Sequence, residues 1–270
     1  MRTIIQVSDL HFGMILQPTL EPLLDSMWAI APDLVIVSGD VTQRARVDEF
    51  RAARAYIERM PGPRLVIPGN HDVPLYNVVR RFAQPLARFQ EYIGADLAPV
   101  YVDDEVAVVG INSARSFTFK GGTLSEEQVA EAVRHFDSLT HDQVKIVVAH
   151  HPFDIPVGLT GVRVVKGVGM AMQRFSTCHV DMFLAGHLHL VHLANARMYV
   201  PGFDATILQA GTATSSRARG EPNSFFVFLI GDGNVAVEIH RWNAADNTFA
   251  ATETRHLTRS DSRPSASRAW

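Results

Sequence analysis

Residues 4–13 read IIQVSDLHFG, an apolar run that is followed at once by a carboxylate, Asp9, and an imidazole, His11. Four later apolar runs also end in potential metal ligands: residues 34–37 precede Asp40, 65–67 precede Asn70, 145–149 precede His150 and His151, and 182–185 precede His187 and His189. In open α/β sheets, binding sites lie beyond the carboxyl ends of the strands. We therefore expect five loops that are distant in sequence to bring these side chains into one crevice.

Apolar runs of this kind alternate with amphipathic stretches along most of the chain, which predicts an α/β fold. Two helical faces are visible, one in residues 20–30 and one in residues 50–57. A capping-box sequence, Ser125-Glu126-Glu127-Gln128, predicts a helix that runs to about Asp137. The segments 225–230 and 235–239 flank a Gly-Asp-Gly-Asn turn and predict a β-hairpin. Strands gathered late in the chain predict a second sheet packed on the first.

The length of 270 residues and a hydrophobic content of 47% suit one large domain, which we place at residues 1–243. Aliphatic residues become scarce from about Ala244 onwards. Residues 260–265 read SDSRPS, a composition that buries little apolar surface. Residues 244–270 are therefore predicted to form a polar, mobile C-terminal tail.

The charge balance and the single cysteine restrict the class of protein. The net charge of −3 and the absence of a dense Lys/Arg patch give no strong signature of nucleic-acid binding. Cys178 is the only cysteine, which fits a reducing compartment, and no apolar run is long enough to predict a signal peptide or a membrane span. The chain is expected to be cytoplasmic and to act on a small molecule.

The candidate ligands are carboxylates, an amide and imidazoles, a set that suits Mn, Fe, Zn or Co. The expected donors are Asp9, His11, Asp40, Asn70, one of His150 and His151, His187 and His189. Seven protein ligands exceed the needs of one tetrahedral ion. They divide between two ions if one carboxylate bridges, and paired ions are typical of phosphoryl transfer. The sequence thus predicts a binuclear site.

The ordered blocks Asp-x-His, Gly-Asp, Gly-Asn-His-Asp, His and Gly-His-x-His resemble those of the calcineurin-like metallophosphoesterases over roughly residues 4–190. The residues that flank Asp9, Asp40 and Asn70 are most similar to those of the class III cyclic-nucleotide phosphodiesterases. The resemblance implies a four-layer αββα sandwich of two mixed sheets flanked by helices. It also suggests a homodimer.

The same resemblance implies a role for each candidate residue. One ion would be held by Asp9, His11, Asp40 and His189, and the other by Asp40, Asn70, His150 and His187. Asp40 would bridge, and His150 is preferred over His151 because the family places its ligand directly at the strand end. His71 would bind no metal but would contact the phosphate and assist the leaving group. Asp72 would either orient His71 or accept hydrogen bonds within the turn.

The function implied is hydrolysis of a phosphodiester, a cyclic nucleotide or similar, by in-line attack of a metal-bound hydroxide. Arg115 and Arg217 are candidates for holding the substrate phosphate, with Arg219 and Arg44 as comparable choices. An alternative is a glycerophosphodiester or phospholipid head-group hydrolase. This alternative is favoured by the apolar, glycine-rich stretch from Val157 to Met170, which would contact a membrane surface, form a lid or cover the core. A third reading is a non-catalytic scaffold with the same fold.

Overall fold

A computed structural model describes residues 1–75, 77–116, 121–139, 143–217, 219–231 and 234–257. Its twelve strands, within that part of the chain, are β1 Arg2–Val7, β2 Leu34–Ser38, β3 Arg64–Ile67, β4 Val100–Val102, β5 Val106–Ile111, β6 Val144–Ala149, β7 Met182–Ala185, β8 His192–Asn195, β9 Thr206–Gln209, β10 Ser224–Gly231, β11 Asn234–Asn243 and β12 Thr248–Leu257. Its α-helices there are α1 Leu20–Ile30, α2 Val47–Ile57, α3 Val78–Ala83, α4 Ala87–Tyr92, α5 Glu126–Asp137 and α6 Val168–Thr177. The predicted α/β class is confirmed.

The strands form two mixed six-stranded sheets, one in the order β12-β11-β10-β1-β2-β3 and the other in the order β4-β5-β6-β7-β9-β8. In the first sheet, β1, β2 and β3 are parallel while β10, β11 and β12 join them in antiparallel pairs. In the second sheet, β5, β6, β7 and β9 are parallel and both edge strands are antiparallel. Five of the parallel strands, β1, β2, β3, β6 and β7, carry the predicted ligands at their carboxyl ends.

Three apolar clusters define the layers. Ile4, Ile36, Val108 and Ile146 belong to the cluster in which strands of both sheets meet. A second cluster packs α1, α2 and α4 against the first sheet, and a third packs α5 and α6 against the second sheet. The order helix, sheet, sheet, helix is the predicted four-layer αββα sandwich.

Helix α5 begins where its capping box predicts. The Ser125 hydroxyl accepts a hydrogen bond from the Gln128 backbone N–H at 3.3 Å, and Gln128 Oε1 accepts one from the Ser125 N–H at 3.2 Å. Two backbone donors that the first helical turn leaves free are thereby satisfied. The hairpin of β10 and β11 is also present, although residues 232–233 of its turn lie outside the described residues. The expectation that these late strands form the second sheet is wrong, because β10 pairs with β1 and extends the first sheet.

The prediction of a polar tail from Ala244 is wrong for residues 248–257. These residues form β12, which pairs with β11 along its length as the edge strand of the first sheet. Phe249 is buried against Trp242 and Phe225, with ring centroids 5.2 and 5.4 Å apart. A polar edge strand is possible because backbone hydrogen bonds, which do not depend on side-chain polarity, supply most of its pairing. Residues 258–270 lie outside the described residues.

Candidate metal centre

The loops after β1, β2, β3, β6 and β7 converge on one edge of the sandwich, as the sequence predicts. They bring together all seven predicted donors: Asp9, His11, Asp40, Asn70, His150, His187 and His189. Every one of these side chains is buried except His187, which is partly exposed. Water is thus largely kept from the donor atoms, while one side of the group stays open.

The first group of donors consists of Asp9, His11 and His189. Asp9 Oδ1 lies 3.1 Å from His189 Nε2 and 3.4 Å from His11 Nε2, and the two Nε2 atoms are 3.0 Å apart. Asp9 Oδ1 is buried and accepts no hydrogen bond from any described residue. A buried carboxylate oxygen without a donor is costly unless a cation occupies the position in front of it.

The second group surrounds His150 Nε2. Asp40 Oδ2 and Asn70 Oδ1 each lie 3.2 Å from this nitrogen, and His187 Nδ1 lies 3.3 Å from it. The two groups are adjacent, since Asp40 Oδ2 also lies 3.7 Å from His11 Nε2 of the first group. Asp40 is therefore placed between them.

The spacing of the donor atoms tests whether metal ions fit. Atoms that bind one ion at about 2.0–2.2 Å, with angles of about 90–110° between bonds, lie roughly 2.8–3.6 Å from one another. The distances within the two groups, 3.0–3.4 Å and 3.2–3.3 Å, fall in this range. The donors are oxygens and imidazole nitrogens, which suit first-row transition metals. The residues present fit two ions.

The charges of the two groups act on one another. Burial raises the pKa of Asp9, yet His189 and His11 outweigh that effect and hold the pKa well below its usual range. Burial lowers the pKa of His150, but the Asp40 carboxylate outweighs it and raises this pKa to about 9. For His187, burial and the neighbouring His150 lower the pKa to about 3. At Asp40, burial also raises the pKa, but the charges of His150 and His71 outweigh it and lower the pKa, so both carboxylates favour the charged form that metal ions bind.

The backbone at the ligands is held in an uncommon conformation. A positive φ is rare for residues other than glycine and occurs at strained functional sites. Here it is found, between 50° and 77°, at Asp9, His11, Asp40, His187 and His189. Close packing adds to the constraint, since a Cβ on Gly69 would lie 2.1 Å from Asp40 Oδ1. The loops thus turn sharply to aim their side chains.

Hydrogen bonds behind the donors fix their orientation. His150 Nδ1 donates to the Ser38 carbonyl at 2.9 Å, which leaves Nε2 free to face Asp40. His189 Nδ1 lies 3.1 Å from the Arg217 carbonyl, and the His187 N–H donates to Asp9 Oδ2 at 2.8 Å. Partners of this kind are typical of metal-binding histidines.

The geometry distinguishes the two consecutive histidines after β6. His151 turns away from Asp40, and its Nδ1 lies 2.8 Å from the Ser113 hydroxyl. Burial, together with the neighbouring His150 and His187, lowers the pKa of His151 well below its usual range. It packs beside the donors as a neutral ring, with its centroid 4.9 Å from that of His187.

Asp72 accepts hydrogen bonds within the loops rather than orienting His71. Its carboxylate accepts from the Gly69 N–H at 2.9 Å and from the Thr42 N–H and hydroxyl, each at 2.8 Å. It thereby ties the loop after β3 to the loop after β2. Burial, followed by the charge of Asp40, raises the pKa of Asp72 to about 7.

His71 and Arg217 lie beside the candidate metal ligands in an open cleft of about 520 Å³. The His71 backbone N–H donates to Asp40 Oδ1 at 2.8 Å, and its ring Nδ1 lies 2.8 Å from the Gln43 carbonyl. Arg217 Nη1 lies 3.4 Å from Gln43 Oε1 and 3.3 Å from His71 Nε2. Both side chains therefore face the space in which a bound substrate would sit.

Arg115, the other predicted phosphate-binding residue, does not line this cleft. Its half-buried guanidinium donates to the carbonyls of Asn112 and Ala114, each at 3.0 Å, and to Gln128 Oε1. These bonds join the loop after β5 to the start of α5. Arg115 therefore stabilises the start of α5 and does not face the cleft.

Sequence reasoning missed Arg163, which lines the cleft together with Thr160, Gly161 and Val162. These residues belong to the glycine-rich stretch 157–170. In the same stretch, Val165 is buried in the core and Val157 is fully exposed. One part of the stretch thus covers the core and another borders the site. The signal in the sequence was the single arginine of a mainly apolar segment, in which Lys166 is the only other charged residue.

The family model of the calcineurin-like phosphoesterases matches residues 2–191, and the chain belongs to that family. A probable glycerophosphodiester phosphodiesterase, GpdQ, of Arcobacter nitrofigilis is 29% identical over 126 residues, 47% of this chain and 44% of that protein. A probable cyclic nucleotide phosphodiesterase of a Synechococcus species is 27% identical over 81 residues, 27% of this chain and 32% of that protein. The chain thus spans less than half the length of the curated relatives it matches.

Among solved structures, a dimetal phosphatase of Danio rerio superposes with a TM-score of 0.69 at 13% identity, covering 96% of this chain and 99% of that one. At this identity the likeness shows the fold alone. The predicted membership of the calcineurin-like superfamily is confirmed.

Proposed function

We propose that this chain is a metal-dependent phosphodiesterase with two metal ions. The position of Asp40 is the observation that carries the proposal. Its Oδ2 lies 3.2 Å from a donor of one group and 3.7 Å from a donor of the other, so one carboxylate can serve both ions. Two ions held side by side are an arrangement that clamps a phosphoryl group during in-line displacement.

The ligand assignment follows the two groups. One ion would be held by Asp9, His11, Asp40 and His189, and the other by Asp40, Asn70, His150 and His187. When bound, the ions supply a nucleophile from water near neutral pH and place positive charge beside the phosphoryl oxygens. The identity of the metal among Mn, Fe, Zn and Co is a question for metal analysis.

His71 and Arg217 are the groups of the chain itself that act on the substrate. His71 is held through Nδ1 by the Gln43 carbonyl, so Nε2 faces the cleft. We assign it to the leaving oxygen, where charge builds up as the ester bond breaks. Arg217 contributes a planar cation that matches phosphate geometry. It neutralises the charge on the reacting group.

Two classes of diester are supported. The relative of A. nitrofigilis favours a glycerophosphodiester, and the Synechococcus relative favours a cyclic nucleotide. If residues 157–170 contact a membrane surface, phospholipids with a hydrolysable head group become a third class of substrate. The full exposure of the apolar Val157 supports such contact. In the described part of the chain, no helix is both long and apolar enough to cross a bilayer. The cytoplasmic location and the homodimer remain predictions from the sequence.

The test is a comparison of rates on cyclic AMP, glycerophosphocholine, phosphatidylcholine vesicles and bis(4-nitrophenyl) phosphate, with the metal content measured on the same preparation. We expect about two ions per chain and turnover that a chelator abolishes and added metal restores. A preparation that hydrolyses none of the esters would contradict the proposed activity, and the absence of both ions as well would favour the scaffold reading. Full activity with one ion would contradict the two-ion assignment.

A further inference from the structure

Three arginines line the cleft in front of the metal centre. Arg163 comes from the loop before α6, and Arg217 and Arg219 come from the segment before β10. Among the described residues that line the cleft, the only carboxylate is that of Asp40, which the proposed function assigns to the metals. The open part of the cleft therefore carries positive charge from two separate loops.

These three arginines have no acidic partner among the described residues. Arginines on other surfaces do, for example Arg59, whose Nη2 lies 2.5 Å from Glu21, and Arg2, whose Nε lies 2.7 Å from Asp103. Among the described residues, the guanidinium of Arg217 contacts Gln43 and His71 and no carboxylate. Cations gathered in a cleft without an internal counterion attract an anionic ligand.

The reacting group alone does not account for this charge. A phosphodiester carries a single negative charge, and two metal ions, His71 and Arg217 already face it in the proposed function. Arg163 and Arg219 are exposed residues of the lining, whereas Arg217 is only partly exposed. A volume of about 520 Å³ is within the range of pockets that hold drug-sized ligands, so it leaves room for substituents beyond one phosphate.

We infer that the cleft has a second anion subsite, formed by Arg163 and Arg219, which selects soluble phosphodiesters that carry a further phosphoryl group. The inference rests on the proposed function and names its substrate class. A phosphate monoester is close to a dianion at neutral pH and accepts bidentate hydrogen bonds from guanidinium groups. Neutral or cationic head groups, such as choline, gain nothing from this subsite.

The experiment uses two esters that differ only in the second phosphate. They are the 4-nitrophenyl ester of thymidine 5′-phosphate and the same compound phosphorylated at the 3′ oxygen; both release nitrophenolate. We expect kcat/KM to be about 10-fold higher for the ester that carries the second phosphate, the size expected for a few exposed charge contacts. The preference should fall as ionic strength rises.

Variants locate the effect. Arg163→Gln and Arg219→Gln should each reduce the preference several-fold, and the double variant should bring it close to one. Arg174→Gln, which removes the same charge from an exposed position on α6 outside the cleft lining, should leave the preference unchanged. Arg163→Lys and Arg219→Lys should keep most of it, since the charge remains.

Two results would overturn the inference while leaving the proposed function intact: hydrolysis of both esters at equal rates by the unaltered protein, or a preference that survives in the double variant. Failure of the proposed function would look different. The metal-loaded protein would then hydrolyse neither ester, and it would also hydrolyse none of the diesters in the comparison of rates described above.

Discussion

Arg217 Nη1 lies 3.3 Å from His71 Nε2, although the two residues are 146 positions apart in the sequence. His71 Nδ1 faces the Gln43 carbonyl, which can only accept, so Nδ1 carries the proton in the neutral ring. In that neutral form Nε2 accepts the guanidinium N–H, and it has to take up a proton before it can donate to the leaving oxygen. Each group keeps the other aimed at the space in front of the metal centre.

Replacing His71 by alanine is expected to spare the metals and to slow the reaction according to the leaving group. A proton or positive charge stabilises a basic leaving oxygen far more than a good leaving group. Turnover of an alkyl or ribose ester should fall by about 10²–10⁴, and turnover of a nitrophenyl ester of the same phosphate should fall much less. Equal losses on both esters would show that His71 only positions the phosphate, and loss of metal would show that it supports the ligands.

Arg217 and Arg115 provide a matched pair, because the sequence proposed both as phosphate-binding residues and the structure separates them. Arg217→Gln is expected to lower kcat/KM about 10- to 100-fold, since it removes a charge-assisted contact to the substrate, with little change in the thermal midpoint. Arg115→Gln should leave kcat/KM near that of the unaltered protein. It should instead lower the stability by about 1–2 kcal/mol, because it removes bonds that hold the start of α5. The opposite pattern would refute the assignment of Arg217.

Asp40→Asn should cost more than the same change at any single-ion ligand. The amide keeps the size of the side chain but removes the charge that both ions share. We expect the metal content to fall from about two ions to one or fewer and turnover to fall by at least about 10³. Asp33→Asn is the control, because Asp33 lies at the opposite end of β2 from Asp40. Among the described contacts, Asp33 Oδ2 accepts only the Thr3 N–H. Near-normal turnover and metal content in Asp40→Asn would mean that the ligand map is wrong.

Truncation at two positions separates the contribution of strand β12 from that of residues 258–270. The sequence predicts that removal of everything after about Trp242 is harmless, but that cut deletes β12 and uncovers Phe225 and Trp242. We expect a marked fall in the thermal midpoint and in soluble yield, with burial of Phe249 alone worth about 2 kcal/mol. Removal of residues 258–270 should change neither quantity. A stable, active protein that ends at residue 243 would show that β12 contributes little.

The sequence by itself determined the strands of the parallel segments and the donors at their ends. Both signals are local, because a buried strand needs a continuous apolar run and its loop must begin at the next polar residue. The runs before Asp9, Asp40 and His187 appear as β1, β2 and β7 within two residues of the predicted limits. The cap at Ser125 is equally local, since its hydrogen bonds span three residues.

Only the tertiary structure decided where the arginines go, which of two adjacent histidines faces Asp40, and that a polar segment after Ala244 forms a strand. The two histidines depend on partners that are far away in the sequence, the Ser38 carbonyl for His150 and the Ser113 hydroxyl for His151. Strand β12 depends on the free edge of its neighbour β11, which exists only because β10 and β1 hold β11 in the sheet. An arginine is long and flexible, and its local sequence does not state which acceptors will lie within its reach. Arg115 thus donates a hydrogen bond to Gln128 at the start of α5, while Arg217 lines the cleft.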